Sequence, residues 1–287
     1  MHLDGSTSLV GVFGAPIKHT ASPAMHNAAF EALKMNWAYL AFQVAPQDLR
    51  TALQGARDMG IVGINLTVPH KILALECVDE IDAEASKLGA VNTVAMERGK
   101  LRGFNTDGYG FLKAIKEEFN LSIRGKRILV LGAGGAGRGI AVKCALDGAA
   151  RVVVANRTLT KIVPIAQEIR NTKTEFLSIA LTPDEIRRVI PEVDLVVNAT
   201  SVGLKDGESL GLGAELFSPR LRVYDTIYRP AETELLQIAG GAGAQVANGL
   251  GMLLHQGAKA FEIWTKRKAP LAVMRRALRT AVYGDKS

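Results

Sequence analysis

The chain has 287 residues, 48% of them hydrophobic and 22% charged, with a formal net charge of +7. This composition excludes an intrinsically disordered tail, and the length is typical of two globular domains. Two cysteines, Cys77 and Cys144, provide neither a disulfide scaffold nor a zinc ribbon, which favours a protein of the reducing cytoplasm.

Short apolar segments alternate with helical segments over the first 68 residues. Strands are predicted at Leu9–Phe13, Ala38–Val44 and Ile61–Val68. Helices are predicted from about Pro23 to Lys34 and from about Pro46 to Met59. This β-α-β-α-β order predicts a mainly parallel sheet with helices on both faces.

The next segment predicts helical stretches and a β-hairpin. The helical stretches are expected around Ile72 to Leu88. Two strands, Ala90–Met96 and Lys100–Phe104, flank the residues 97–99, whose glycine is typical of a hairpin turn. The first domain is therefore predicted to end near residue 107.

A dinucleotide-binding motif follows. The strand Arg127–Leu131 leads directly into Gly132-Ala133-Gly134-Gly135-Ala136-Gly137, then a small-residue helix, and a second strand begins at Arg151. Glycines at such a turn let the backbone bend and approach a pyrophosphate at the helix N-terminus. The strand-turn-helix context favours cofactor binding over a simple tight turn.

The end of the second strand distinguishes the two nicotinamide cofactors. An NAD site usually has Asp or Glu about 20 residues past the glycines, where it binds the ribose 2′-hydroxyl. This chain has Asn156, Arg157 and Thr158 there. Arginine pairs with a 2′-phosphate and stacks on adenine, whereas the alternative is an exposed loop arginine. The three residues together predict NADP(H).

Neither the N-terminal residues nor any internal segment predicts export or a membrane span. The first residues lack the basic start and apolar run of a signal peptide. The uncharged run from Leu235 to Ala258 contains Gln237, Asn248, His255 and many glycines, which hydrocarbon tolerates poorly. We expect no membrane partner and a cytoplasmic location.

The positive charge is concentrated at the C-terminal end. Between residues 265 and 287, seven lysines and arginines face a single aspartate. Leu271, Met274, Leu278 and Val282 recur there at helical spacing, which predicts an amphipathic helix with a docked apolar stripe and a solvated basic face. No aromatic residues alternate with the basic ones, as base stacking requires, so we expect no nucleic-acid partner.

Several motifs in the chain form an ordered set. In Gly14–Asn27, Ser22 and Pro23 read as a helix N-cap and first helical residue, and Thr20 can present its hydroxyl on the same side. The other motifs are Asn65–Lys71, Gly89–Thr93, Gly103–Asp107, Asn198–Gly203, Tyr224–Pro230 and Gly249–Gln256. In this order, over nearly the whole chain, they resemble the shikimate dehydrogenase family.

The resemblance implies an NADP-dependent enzyme that reversibly reduces 3-dehydroshikimate to shikimate, in the pathway to chorismate and the aromatic amino acids. The predicted fold class is α/β, with two α/β domains. Residues 1–107 and 250–287 are expected to form a discontinuous substrate domain with a mainly parallel sheet. Residues 108–249 are expected to form a Rossmann-like NADP-binding domain.

The resemblance also assigns site residues by position. Lys71 and Asp107 would be the catalytic pair, and hydride transfer to a ketone does require a proton donor at the same oxygen. Substrate contacts would come from Thr20, Ser22, Thr67, Asn92, Tyr228 and Gln256. Cofactor contacts would come from Gly132, Ala133, Gly134, Gly135, Ala136, Gly137, Asn156, Arg157, Thr158, Ala199, Thr200, Thr226, Gly249 and Met252.

Alternatives stay open at this point. Thr20 stands where many family members have serine, which leaves room for a quinate/shikimate dehydrogenase of relaxed substrate or cofactor choice. A non-catalytic nucleotide-binding protein is an alternative of another class. The histidines lack metal-ligand spacing, so we expect hydrogen-bonded structural histidines and no metal. The small-molecule substrate is the expected partner, and a homodimer is left open.

Overall fold

The structure is a computed structural model that describes residues 3–205 and 207–284. The chain divides into two compact units. The first unit comprises Met1–Gly110 and Leu253–Ser287, and the second comprises Phe111–Met252. Both units have the predicted α/β architecture.

The first unit contains a six-stranded sheet in the order β2-β1-β3-β5-β6-β4. β2 and β3 flank β1 in parallel, as the β-α-β-α-β order predicts, whereas β5 pairs antiparallel with β3 and β6. The strands are β1 (Ser8–Gly14), β2 (Trp37–Gln43), β3 (Gly63–Leu66), β4 (Glu80–Ile81), β5 (Thr93–Glu97) and β6 (Lys100–Phe104). The helices are α1 (Ser22–Ala32), α2 (Leu49–Asp58), α3 (His70–Leu73), α4 (Ala83–Leu88), the start of α5 (Asp107–Phe119), and α11 (Leu271–Tyr283).

The helical stretches expected around Ile72 to Leu88 are present as α3 and α4, but a short strand that was not predicted separates them. α3 ends at Leu73, the short strand β4 follows, and α4 begins at Ala83. The Asp79 carboxylate accepts a hydrogen bond from the backbone N–H of Leu101, and the Asp82 carboxylate caps α4 at Glu84 N. The Asp79 contact holds the segment at the edge of the sheet beside β6, and the Asp82 cap fixes where α4 begins, so the two helices are separated.

The beginning of α1 also differs from the prediction by one residue. The helix begins at Ser22, after Ala21, and no side chain caps it. Pro23 therefore lies inside the first turn, where its missing N–H costs nothing. Instead of capping, the buried Ser22 side chain forms a hydrogen bond with the Tyr39 hydroxyl.

The predicted amphipathic C-terminal helix is confirmed as α11, which packs against α1. Met274, Leu278 and Val282 are buried, whereas Leu271 is exposed, so the docked stripe begins one turn later than predicted. Arg276 and Arg279 lie on the solvated face. The last residues of the predicted basic tail, 285–287, lie outside the described part of the chain.

His26 occupies an apolar site on α1. Its ring stacks on Tyr39 with 4.3 Å between ring centroids, and Trp264 and Phe261 lie close by. Neither ring nitrogen has a hydrogen-bond partner among residues 3–205 and 207–284, so the expectation of a hydrogen-bonded histidine is wrong here. Burial in this aromatic site lowers the pKa of His26 to about 3.

We expect this histidine to make the protein less stable in weak acid. The unfolded chain binds a proton at His26 below about pH 6.5, whereas the folded chain does so only near pH 3. The free energy of unfolding therefore falls as the pH drops through 6.5, by about 2 kcal/mol between pH 7 and pH 5. Urea titrations of the wild type and His26→Phe at pH 7 and pH 5 check this. The free energy of unfolding of the variant should fall by about 2 kcal/mol less than that of the wild type. Equal losses in both proteins would contradict it.

The second unit contains a six-stranded parallel sheet in the order β12-β11-β10-β7-β8-β9. Read from β9, this is the 3-2-1-4-5-6 order of dinucleotide-binding folds. The strands are β7 (Arg127–Leu131), β8 (Arg151–Asn156), β9 (Glu175–Ala180), β10 (Leu195–Asn198), β11 (Arg222–Asp225) and β12 (Gln245–Asn248). The helices are α6 (Gly135–Leu146), α7 (Val163–Ile169), α8 (Pro183–Val189), α9 (Glu234–Gly241) and the start of α10 (Leu250–Thr265).

The uncharged run from Leu235 to Ala258 is divided between α9, β12 and the first half of α10. Across the described ranges, no helix has both the length and the apolar character needed to cross a membrane.

Candidate active site

Lys71 and Asp107 form an ion pair in the first unit. The Lys71 Nζ lies 2.6 Å from Asp107 Oδ2, and the two side chains are 26% and 17% exposed. Asn92 Nδ2 donates to the other carboxylate oxygen, Oδ1, at 2.9 Å. Both oxygens of Asp107 are thus held by donors, which orients the carboxylate and leaves the lysine amine partly open to solvent.

The local chain path explains this arrangement. Lys71 is the second residue of α3, and its carbonyl accepts the N–H of Val91 at 2.8 Å, so α3 is held beside the segment that carries Asn92. Asp107 is the first residue of α5, where the Asn105 side chain accepts the N–H groups of Asp107 and Gly108. Asn105 therefore caps the helix, and the Asp107 carboxylate is left for Lys71.

Other predicted substrate residues extend this group. Asn92 is 2% exposed and its Nδ2 lies 3.5 Å from Gln256 Oε1. Thr67 lies in the turn before α3, where its carbonyl accepts His70 N at 2.8 Å. Thr20 and Ser22 lie together before α1 and at its start, and Ser22 N donates to Thr20 Oγ1 at 3.4 Å. Tyr228 belongs to the second unit, in the loop after β11.

Two buried polar residues that were not assigned to the site, Tyr39 and Asn65, connect the two ends of this group. The Tyr39 hydroxyl, which contacts Ser22, donates to Asn65 Oδ1 at 2.8 Å. Asn65 Nδ2 donates in turn to the Asn92 carbonyl at 3.2 Å. Asn65 stands in a short buried strand with apolar neighbours, and a lone polar residue in such a strand was the available signal.

A cavity of about 400 Å³ opens in the second unit at the carboxyl ends of the central strands. Parallel sheets bind ligands at this position, where the strand order reverses between β7 and β10. Of the predicted cofactor residues, Gly132, Ala133, Gly134, Asn156, Arg157, Ala199 and Thr200 line it. The sequence did not single out its other lining residues, which are Lys161, Leu181, Ser201, Val202, Ser209 and Leu210.

The glycine turn has the shape that a pyrophosphate requires. Gly132 has φ 102°, which is a conformation that side chains rarely adopt. Gly134 begins the approach to α6 in extended backbone and is exposed together with Gly135 and Ala136, whereas Gly137 is buried inside the helix. The exposed turn at a helix N-terminus therefore presents backbone N–H groups toward the cavity.

Asn156 supports the turn directly. Its Oδ1 accepts Ala133 N at 3.1 Å and its Nδ2 donates to the Thr158 carbonyl at 2.8 Å. Arg157 and Lys161 are both exposed. The described residues that line the cavity include these two cations and no carboxylate, which fits a phosphate-bearing ligand.

The remaining predicted cofactor residues lie outside the cavity lining. Thr158 is exposed after β8. Gly249 follows β12, and its N–H donates to Ile227 O at 3.1 Å. Met252 N lies 3.3 Å from the Tyr224 hydroxyl. Thr226 and Gly249 approach so closely that a Cβ at Gly249 would lie 2.0 Å from Thr226 O.

Among the described residues, no group of three or more His, Cys, Asp or Glu side chains is arranged to hold a metal ion. Both cysteines are free thiols.

Comparison with known proteins accounts for nearly all of the chain. Residues 12–94 match the shikimate dehydrogenase substrate binding domain, residues 113–204 match shikimate / quinate 5-dehydrogenase, and residues 249–279 match the shikimate 5'-dehydrogenase C-terminal domain. The shikimate dehydrogenase (NADP(+)) of Methanopyrus kandleri is 46% identical over 279 residues, which is 96% of each chain.

Solved structures give the same result for the fold. Shikimate 5-dehydrogenase from Listeria monocytogenes, in complex with shikimate and NAD, superimposes with a TM-score of 0.92 at 38% identity, covering 97% of this chain and 98% of that one. Shikimate 5-dehydrogenase from Thermus thermophilus, in complex with NADP(H) and shikimate, has a TM-score of 0.85 at 38% identity and covers 96% and 100%.

Proposed function

This chain belongs to the shikimate dehydrogenase family, and we propose that it catalyses the reversible NADPH-dependent reduction of 3-dehydroshikimate to shikimate. The observation that carries the proposal is the ion pair of Lys71 and Asp107, with Asn92 on the second carboxylate oxygen. A non-catalytic nucleotide-binding protein has no need of an oriented amine and carboxylate in its other unit. The reaction lies on the pathway to chorismate and the aromatic amino acids.

The domain roles follow from the site residues. Residues 1–107 and 250–287 would bind the substrate, and residues 108–249 would bind NADP. The two compact units have boundaries within three residues of these, at 110 and 253. The free cysteines favour the cytoplasm, and a homodimer stays a prediction.

Proton transfer is assigned to Lys71. NADPH, when bound, supplies the hydride that converts the ketone to an alkoxide. The Lys71 ammonium would give a proton to that oxygen, and the neutral amine would take it back in the reverse direction. Asp107 holds the amine in place through the 2.6 Å contact, and Asn92 keeps the carboxylate from rotating away.

The substrate carboxylate is assigned to Thr20 and Ser22. Ser22 is buried at the start of an eleven-residue helix, where backbone N–H groups and the helix dipole favour an anion. The Tyr39 hydroxyl adjoins Ser22 and is fixed by Asn65. Thr67, Asn92 and Gln256 would then meet the ring hydroxyls, and Tyr228 of the second unit is also assigned to the substrate.

Arg157 is assigned to the 2′-phosphate of NADP, and Lys161 adds a second cation on the same cavity. We expect Arg157→Ala to raise KM for NADP by about 10-fold and to leave KM for NAD unchanged, since NAD lacks that phosphate. Initial rates with each cofactor at saturating shikimate measure both constants. Arg151→Ala is the matched control, because Arg151 begins β8, the strand that Arg157 follows, and pairs with Glu175 and Glu192. An equal rise for both cofactors would contradict the assignment.

Initial rates of the purified protein test the whole proposal. We expect fast turnover of shikimate with NADP, and slow turnover when quinate replaces shikimate or NAD replaces NADP. Preference for quinate or NAD would identify a quinate/shikimate dehydrogenase of relaxed choice. No turnover with any pairing would overturn the proposal and favour nucleotide binding alone.

A further inference from the structure

A fully buried carboxylate lies in the second unit, at Asp225. Asp225, the last residue of β11, is 0% exposed. Asn198 Nδ2 lies 3.1 Å from each carboxylate oxygen, Ile227 N donates at 2.9 Å, and Thr233 Oγ1 donates at 2.7 Å. Burying a carboxylate costs much free energy unless such donors surround it, so this arrangement requires an explanation beyond packing.

The donors come from the end of β10 and from the loop after β11, next to assigned ligand residues. Asn198 is the last residue of β10, and its Oδ1 accepts Thr200 N at 3.0 Å and Thr200 Oγ1 at 2.7 Å, which fixes the loop after β10. The loop after β11 contains Thr226 and Tyr228 and extends to Thr233. Asp225 therefore holds a cofactor-assigned loop against a loop assigned to both cofactor and substrate.

Two further cofactor-assigned segments pack onto these loops. Gly249 N donates to the carbonyl of Ile227, the residue whose N–H binds Asp225. On the other side, a Cβ at Gly132 would lie 2.9 Å from the Ala199 carbonyl oxygen, so the glycine turn rests on the loop after β10. Asp225 thus contacts the loop after β11 directly and the loop after β10 through Asn198. The turn at Gly249 and the glycine turn at Gly132 pack onto these two loops.

Thr233 supports a specific role for this contact. It stands at the N-cap of α9, where a threonine hydroxyl usually accepts a backbone N–H of the helix. Here it caps nothing and donates to Asp225 instead. The α9 N-terminus is left without a side-chain cap while the carboxylate gains a donor.

We propose that Asp225 is a positioning residue for the reaction, which sets the loops after β10 and β11 so that Thr200, Thr226 and Tyr228 meet NADP and substrate together. The inference rests on the proposed function for the roles of those three residues. It adds a residue that touches neither ligand. Displacing the loops by an ångström would weaken both binding steps, because reacting groups must be held closely in place.

The main test changes the hydroxyl of Thr233. Thr233→Val removes the hydroxyl that donates to Asp225, and Thr233→Ser keeps a hydroxyl at that position. Thr174→Val is the matched control, because Thr174 is also a buried threonine of the second unit, and its hydroxyl donates to the carbonyls of Ala145 and Ala149, away from these loops. Asp225→Asn is the direct variant, since it turns one acceptor into a donor that faces the other donors.

The readouts are the NADPH dissociation constant by fluorescence titration, KM for shikimate, kcat, and the thermal midpoint. We expect Thr233→Val to raise the dissociation constant and KM by about 10-fold, with Asp225→Asn larger, and Thr233→Ser to stay near wild type. Thr174→Val should lower the thermal midpoint as much as Thr233→Val while both constants stay unchanged.

If Thr233→Val and Thr174→Val have the same NADPH dissociation constant and the same KM for shikimate, the proposal is overturned, and Asp225 has a stabilising role only. If Asp225→Asn does not fold, the threonine variants still decide. If the wild type binds NADPH but does not turn over shikimate, the proposed function fails, whereas the dissociation constants still test Asp225. The two failures are thereby distinguished.

Discussion

Replacing Lys71 by methionine is expected to lower kcat for shikimate with NADP by about 10²- to 10⁴-fold, the usual contribution of a general acid or base. Methionine keeps most of the side-chain length and removes the group that moves the proton. Asp107 stays hydrogen-bonded to Asn92, so the carboxylate keeps one of its donors. Because the ion pair is partly exposed, the free energy of unfolding should change by about 1 kcal/mol or less.

Lys100→Met provides a matched control in the same unit. Lys100 forms an ion pair with Glu80 at 2.7 Å, close to the distance in the assigned catalytic pair, but both side chains are largely exposed. Its loss should leave kcat and KM unchanged. Retained turnover in Lys71→Met would remove Lys71 from the mechanism. An equal loss of kcat in Lys71→Met and Lys100→Met would show that removing any lysine charge from this unit lowers turnover, whatever its position.

The second unit was the easier one to predict. Its central parallel strands are buried on both faces and appear as short uninterrupted apolar runs, so β7 lies at its predicted bounds and β8 begins at the predicted Arg151. The glycine turn is a local signal, because three glycines between a strand and a helix suffice to place it. Arg157 at the end of β8 follows from the same local pattern.

The polar interior could not be predicted in this way. Asn65 bonds to Tyr39 across 26 positions, and Asp225 bonds to Asn198 across 27. Neither pair has a periodicity or spacing that marks it in the sequence, because the sheet order brings the strands together. Lys161 was missed because the turn after β8 decides which side chains reach the cavity. The roles assigned to Lys71, Asp107 and the ligand residues stay predictions until they are measured.

Replacing Gly249 by alanine is expected to raise the NADPH dissociation constant by about 100-fold and to destabilise the protein by about 1–3 kcal/mol. The added Cβ would lie 2.0 Å from the carbonyl oxygen of Thr226 and 2.6 Å from its carbonyl carbon. Both are backbone atoms, so no side-chain rotation relieves the contact. The turn between β12 and α10 must move away from the loop after β11.

That movement would separate two segments assigned to the cofactor, because the hydrogen bond from Gly249 N to Ile227 O would lengthen with it. Gly241→Ala is the matched control, since a Cβ at that glycine would meet nothing within 4 Å at the end of α9. It should leave the dissociation constant unchanged and raise the free energy of unfolding by at most about 1 kcal/mol. Fluorescence titration with NADPH and thermal unfolding measure both effects. Wild-type affinity in Gly249→Ala would show that this turn can yield without disturbing the site, and Gly249 and Thr226 would then lose their assignment to the cofactor.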